Sequence, residues 1–214
     1  MKRFIGTTAT TLLVFVFPLL GNPQAIVDIK ILVLFGAACA IFLTQPPLSV
    51  REAQEKKGTD RNSVYAIIVA GLLSLVVALL EWSYVHPILG IVENRLVVAG
   101  GFALIVGGIV FRVWSIQTLG KFFTSTVQVQ DRQQVITSGP YAVLRHPSYS
   151  GAFMAILGST VFLQAPLAAI VALVGMSYAY KLRIGAEEEA MVTKFGEEYR
   201  QYQQRTYRLI PLVW

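Results

Sequence analysis

The sequence predicts an all-α fold, a polytopic transmembrane helical bundle of about six spans, and three observations predict it. Hydrophobic residues make up 55% of the 214-residue chain and charged residues only 14%, against about 25% charged in a soluble domain. The apolar residues gather into runs long enough to cross a bilayer, which takes about 20 residues of helix. The lysines and arginines fall between those runs, as in the cytoplasmic loops of a membrane protein. That placement accounts for the net charge of +6 with the lipid membrane as partner and no nucleic acid.

The first apolar run covers residues 4–20, after Lys2 and Arg3, and "GNPQ" turns the chain. The same stretch also resembles a signal peptide, with a basic start, an apolar middle and small residues after it; its removal would leave five spans. The second run, 26–43, ends at "TQPP", and the polar loop "SVREAQEKKGTDRNS" follows. The third covers 64–82. A connector with His86, Pro87, Glu93 and Arg95 leads to the fourth, 96–119. Residues 120–147 are the least hydrophobic interior segment. The run 149–180 is too long for one ordinary span, and "QAP" at 164–166 breaks it into a tight helical hairpin, spans five and six. From Lys181 the chain is polar, with a helical pattern to Tyr202.

Placing the N-terminus in the cytoplasm puts the loop around Arg51 and Arg61, the 120–147 segment and the C-terminal tail on the same side. These hold most of the basic residues, so both termini are expected inside. The single Cys39 excludes a disulfide within the chain, and it makes no metal-ligand set with two distant histidines. The chain reads as one integral membrane domain, 1–214, with 1–95 as accessory helices and 96–214 as the catalytic region.

Charge against a span marks where chemistry can sit, because bilayers penalise it. Arg112 lies inside span four; an arginine there can snorkel to the cytoplasmic interface. Gly100, Ala103 and Gly107 on the same helix predict close helix packing. The stretch "TSGPYAVLRHPSYSG", residues 137–151, is the more informative signal. Gly139-Pro140-Tyr141 is a turn. Pro147 holds His146 out of helical conformation and starts the next helix. His146 therefore stands at a helix mouth, a place that binds polar or anionic groups, with Arg145 and Tyr149 beside it. In the tail, Arg183 and Glu187 are spaced i, i+4, Glu188 and Met191 share a neighbouring face, and Tyr199 and Tyr202 are i, i+3. Such a helix can be a solvated face with routine ion pairs. Its position directly after span six, on the same side as the His146 corner, points instead to a pocket polar at one end and open to lipid at the other.

The stretch "LGKFFTSTVQVQDRQQVITSGPYAVLRHPSYSG", followed by "EEEAMVTKFGEEYRQYQQRTYRLIP", resembles the isoprenylcysteine carboxyl methyltransferases and their phospholipid-methyltransferase relatives. The resemblance covers roughly residues 97–211. It implies an integral membrane methyltransferase using S-adenosyl-L-methionine, with a C-terminal cytoplasmic helix closing the cofactor pocket. The implied acceptor is amphipathic or prenylated and reaches the site from the bilayer; carboxyl methylation of an isoprenylated cysteine is the leading expectation. By resemblance, Gly139, Tyr141, Arg145, His146, Pro147, Tyr149, Glu187 and Glu188 line the cofactor pocket, and Glu188 pairs with the cofactor's ammonium at the reacting centre. Arg205 or Arg208 faces the acceptor carboxylate. A carboxylate is already a nucleophile at neutral pH and needs only positioning and shielding from water.

Four other activities share parts of this pattern: phospholipid N-methylation, thiol S-methylation, a sterol-type membrane reductase, and a non-catalytic channel or assembly protein. The first two would need a base such as His146 or Tyr149. The reductase would bind a nicotinamide, and the last would bind no cofactor.

Overall fold

The computed structural model describes residues 14–45, 59–124 and 134–213. Most of the first apolar run, most of the polar loop after "TQPP" and residues 125–133 of the family-like stretch lie outside the described residues. Among the described residues all the regular structure is helical and there is no strand, only an isolated bridge between Leu144 and Tyr207.

Each helix begins and ends where its sequence directs. Helix α1, Ile29–Leu43, is capped by Asp28, whose side chain accepts from Lys30 N at 2.8 Å. Helix α2, Thr59–Leu80, runs on through a π-helical turn, Glu81–Val85, and a last turn, His86–Leu89, which Gly90 stops at φ 62°. Helix α3, Arg95–Leu119, is capped by Asn94, which accepts from Leu96 N and Val97 N. Helix α4, Pro147–Phe162, and helix α5, Pro166–Phe195, each start with a proline in the first turn. The hairpin expected from "QAP" therefore forms. Helix α5 continues without a break from its apolar half into the polar tail. A short helix α6, Glu197–Arg205, follows Gly196.

Three helical segments, Ser63–Leu89, Arg95–Phe122 and Pro166–Phe195, are long and apolar enough to cross a membrane. Helix α1 is a shorter apolar helix, and α4 is a 16-residue helix between α3 and α5. Ile68, Val69, Val106, Val110, Ile170 and Val174 are exposed on the long helices. Such outward apolar faces suit lipid, where the helix satisfies its own backbone groups.

The bundle is two tight antiparallel pairs, α3 with α4 and α2 with α5, joined along α4 and α5. The α3–α4 seam is made by four glycines. A Cβ on Gly108 would stand 2.6 Å from Gly151 O and Ala155 N, and one on Gly158 3.0 Å from Gly101 O. These helices touch backbone to backbone, as small residues permit in membranes. The contact falls one residue beyond the small residues that the sequence singles out. Gly100 and Ala103 face outward, Gly107 meets only Met154 Cε at 3.5 Å, and the packed face is Gly101 and Gly108. A second core, with Met176, Ala179, Tyr180 and Ile184 of α5 against Phe153 and Leu209, lies beneath the C-terminal segment.

Candidate active site

Below the α3–α4 seam the chain makes a corner. Gly139–Ala142 forms a 3-10 turn with Gly139 at φ 57°. His146, at φ −126° and ψ 54°, is the N-cap of α4. The segment after α6 returns to pair with this corner. Tyr207 N donates to Val143 O at 2.9 Å, Arg145 N to Tyr207 O at 2.8 Å and His146 N to Arg208 O at 3.1 Å. Ser150 Oγ donates to Leu209 O at 2.6 Å, and Tyr202 OH to Tyr141 O at 2.7 Å. The backbone of the corner is thus fixed from outside by the tail.

Two adjacent carboxylates of α5 meet the corner in different ways. Glu188 is buried. Arg145 Nε donates to its Oε1 at 2.7 Å, and Arg208 donates to Oε2 from Nε at 3.1 Å and Nη2 at 3.0 Å. Arg145 is itself tied to the tail carbonyls of Gln203 and Thr206. Glu187 faces the pocket: its Oε1 accepts from Tyr149 OH at 2.5 Å and Arg183 Nε at 2.8 Å. His146, 8% exposed, lies between the two, with Nδ1 3.3 Å from Glu187 Oε2 and Nε2 3.4 Å from Glu188 Oε1. Burial disfavours the imidazolium, but the hydrogen bonds and charges of Glu187 and Glu188 outweigh it, so the histidine pKa is raised above 6.5. The His146 and Tyr149 rings stack at 5.9 Å, and Tyr149 stacks on Tyr180 at 5.1 Å.

The pocket in front of Glu187 is walled by Tyr141, His146, Ser148 and Tyr149, by Ala190 and Met191 of α5, by Tyr199 and Tyr202 of α6, and by Leu119, Phe122, Phe123 and Ile136. Burial pushes the phenols of Tyr141, Tyr199 and Tyr202 up, so each is a neutral donor at physiological pH. One carboxylate, an imidazole, a guanidinium and four phenols stand against an apolar wall. This donor set fits a ligand that carries an ammonium, hydroxyl groups and a flat ring.

Of the residues singled out in the sequence, Tyr141, Arg145, His146, Tyr149 and Glu187 line this pocket. Gly139 and Pro147 shape its backbone. Glu188 has both oxygens engaged by arginines, and Glu187 is the carboxylate that lines the pocket. Arg205 is exposed and donates to Gln201 O of its own helix, and Arg208 is spent on Glu188.

Arg112 does not snorkel. It is 2% exposed, and its guanidinium donates to Thr44 Oγ1 at 3.1 Å, Ser148 O at 3.0 Å and Gln45 Oε1 at 2.7 Å. Two of its five N–H groups remain, and among the described residues no carboxylate lies within ion-pair distance. Two of its neighbours, Ser148 and Phe123, line the pocket. Phe122, Phe123 and Ile136 also wall the pocket and are not singled out in the sequence, because isolated apolar residues in a polar, non-periodic segment carry no face to read.

A helical bundle of the membrane type, with a polar pocket built at one end from a His-Pro corner and an acidic helix, is the class that fold and site define. The chain belongs to the isoprenylcysteine carboxyl methyltransferase family. The model of that family (ICMT) matches residues 98–193, which supply most of the pocket. Protein-S-isoprenylcysteine O-methyltransferase B of Arabidopsis thaliana is 30% identical over 161 residues, covering 73% of this chain and 82% of that one. The Homo sapiens protein-S-isoprenylcysteine O-methyltransferase is 34% identical over 121 residues, 53% of this chain and 40% of that one. A solved structure of the eukaryotic intramembrane Ras methyltransferase ICMT superposes with a TM-score of 0.65 at 26% identity, over 96% of this chain and 75% of that one.

Proposed function

We propose that the protein transfers a methyl group from S-adenosyl-L-methionine to the carboxylate of an isoprenylated cysteine, with the donor in the Glu187 pocket. The observation that carries this reading is the division of labour between the two carboxylates. Glu188 is neutralised by Arg145 and Arg208 and holds the corner together, while Glu187, held by Tyr149 and Arg183, turns toward the pocket, where it would receive the ammonium of the donor. The donor brings a methyl group already activated by a sulfonium charge. The chain has to bind, orient and exclude water. His146, Tyr149 and Arg183 hold Glu187 in place, and Tyr141 and Tyr199 offer hydroxyls to polar parts of the ligand, while the Tyr202 hydroxyl stays on the Tyr141 carbonyl.

The acceptor carboxylate requires a cation, and we assign Arg112 in place of Arg205 or Arg208. It is buried, has unused donors and stands next to the pocket through Ser148 and Phe123. Two parallel N–H groups suit a carboxylate. No general base is needed, because the acceptor is ionised at neutral pH.

We read residues 96–214 as the methyltransferase region. Thr44 and Gln45 at the end of α1 hold Arg112 from the N-terminal part. The pocket end carries Lys121, Lys181 and Lys194, which favours a cytoplasm-facing active site and cytoplasmic termini. The test is calorimetric binding of S-adenosylhomocysteine to the purified protein, followed by ester formation on S-farnesylcysteine against its amide. Binding with esterification of the acid alone is expected. A folded protein that binds no S-adenosylhomocysteine would overturn the reading.

A further inference from the structure

A second cavity lies at the opposite end of the bundle, where α2 ends and α3 begins. The 25-residue helix α3 separates the two, about 36 Å at ~1.5 Å per residue. Around this cavity several costly features converge. The π-helical turn Glu81–Val85 follows α2 directly, a form frequent at functional sites. Gln164 takes a left-handed φ of 55° without being glycine. It is held there by Asn94 N donating to its Oε1 at 3.0 Å and by His86 Nε2 at 3.1 Å from its carbonyl. Lys30 is drawn in until its side chain is 11% exposed, with Nζ 5.9 Å from the Trp82 ring centre and 6.0 Å from that of Phe162.

Part of this is anchoring. Glu81 accepts from Leu167 N and Ala168 N at the start of α5, Ser83 accepts from Asn22, and Tyr84 accepts from Gly21 N. Those contacts leave the cavity itself unexplained. Lys30, Trp82, His86, Glu93 and Gln164 surround it. Lys30 pairs with Glu93, whose side chain stays 50% exposed at the mouth. A largely covered cation and a half-exposed carboxylate thus stand side by side. Ile88, Val92 and Leu96, each more than 80% exposed, project from the rim.

We propose that this cavity binds the zwitterionic phosphoethanolamine headgroup of a membrane phospholipid, with the phosphate on Lys30 and the headgroup ammonium on Glu93. The helix ends gathered here, with Trp82 among them, suit the membrane–water interface. The exposed rim residues lie where acyl chains would run. The pairing of charges selects the headgroup. A primary ammonium donates charge-assisted hydrogen bonds to Glu93, whereas a trimethylated one has no N–H to give. A glycerol headgroup presents no cation to Glu93 and places its negative phosphate beside it.

The test is lipid retention. The protein is reconstituted in equal parts phosphatidylethanolamine, phosphatidylcholine and phosphatidylglycerol, extracted, and weighed with its bound lipid by native mass spectrometry. The wild type should retain the ethanolamine lipid at least fivefold over each of the others. Lys30→Met with Glu93→Gln should bring the three within twofold. Glu93→Gln alone changes a half-exposed side chain and leaves the phosphate site intact; it should abolish the preference while keeping the total lipid retained, which the double variant should lower. Equal retention by the wild type, or an unchanged preference in Glu93→Gln, would overturn the proposal. Soluble glycerophosphoethanolamine in tenfold excess should fail to displace the lipid; displacement would assign the cavity to a soluble zwitterion instead.

Discussion

Arg112 of α3 donates to the carbonyl of Ser148 in the first turn of α4 at 3.0 Å, two residues beyond the histidine that caps that helix. A charge that the hydropathy pattern places within a membrane span is thereby brought against the wall of the pocket. It is anchored from one side by α4 and from the other by Thr44 and Gln45.

Arg112→Lys removes the planar fork and keeps the charge. Hydrogen bonds to charged groups are worth ~1.5–3 kcal/mol each, so methyl transfer should fall roughly 100-fold. S-adenosylhomocysteine binding, measured by calorimetry, should be little changed. Equal loss of binding and turnover would assign Arg112 to the scaffold.

Glu187→Gln and Glu188→Gln should separate the two carboxylates. The first takes the negative charge from the pocket and should weaken binding of the amino-acid-bearing donor by on the order of tenfold or more, a loss larger than the fall in melting temperature from removing a carboxylate partner of Arg183 and His146 accounts for. The second leaves buried Arg145 and half-exposed Arg208 against a neutral amide, and it should lower the melting temperature first, with donor binding by the folded protein nearly kept. The reverse order would sink the assignment.

His146 gives a pH signature. Its folded pKa is raised above the ordinary 6.5, with Glu187 and Glu188 outweighing burial. The stabilisation from its charged form is therefore complete below the unfolded value and lost as pH rises through the folded one. The melting temperatures of wild type and His146→Gln should differ most at about pH 6 and converge in the alkaline range. A gap that widens with pH would contradict the ion pair.

The seam between α3 and α4 predicts opposite outcomes for neighbouring glycines. Gly100→Ala meets open space and gains helix propensity of ~1 kcal/mol. Gly108→Ala drives a methyl group into the Gly151 and Ala155 backbone and should cost ~1–3 kcal/mol. Thermal melting in detergent would show the first unchanged or raised and the second lowered.

Arg205→Ala should leave turnover within twofold, since the side chain is exposed and bonds only its own helix. Arg208→Ala should weaken the corner by freeing Glu188. A methylation assay in which Arg205→Ala abolishes activity would restore that residue to the acceptor site.

The sequence alone determined the helical membrane class, the hairpin at "QAP" and the His146 corner. Each depends on local chemistry: apolar run length, a proline that cannot continue a helix, a residue held extended before proline. Residue type and spacing also brought His146, Tyr149 and Glu187 to one end of the bundle, because spans alternate direction. Only the tertiary structure decided which neighbour does what. Glu187 and Glu188 are adjacent and chemically identical, and about 100° of helix rotation turns one to the pocket and the other to two arginines. Gly100 and Gly101 differ in the same way, one facing open space and the other the α4 backbone. The partners of Arg112 lie 36 and 68 residues away in the chain. Such choices are fixed by how helices rotate and approach, and a one-dimensional pattern records the face of a helix only to within a residue.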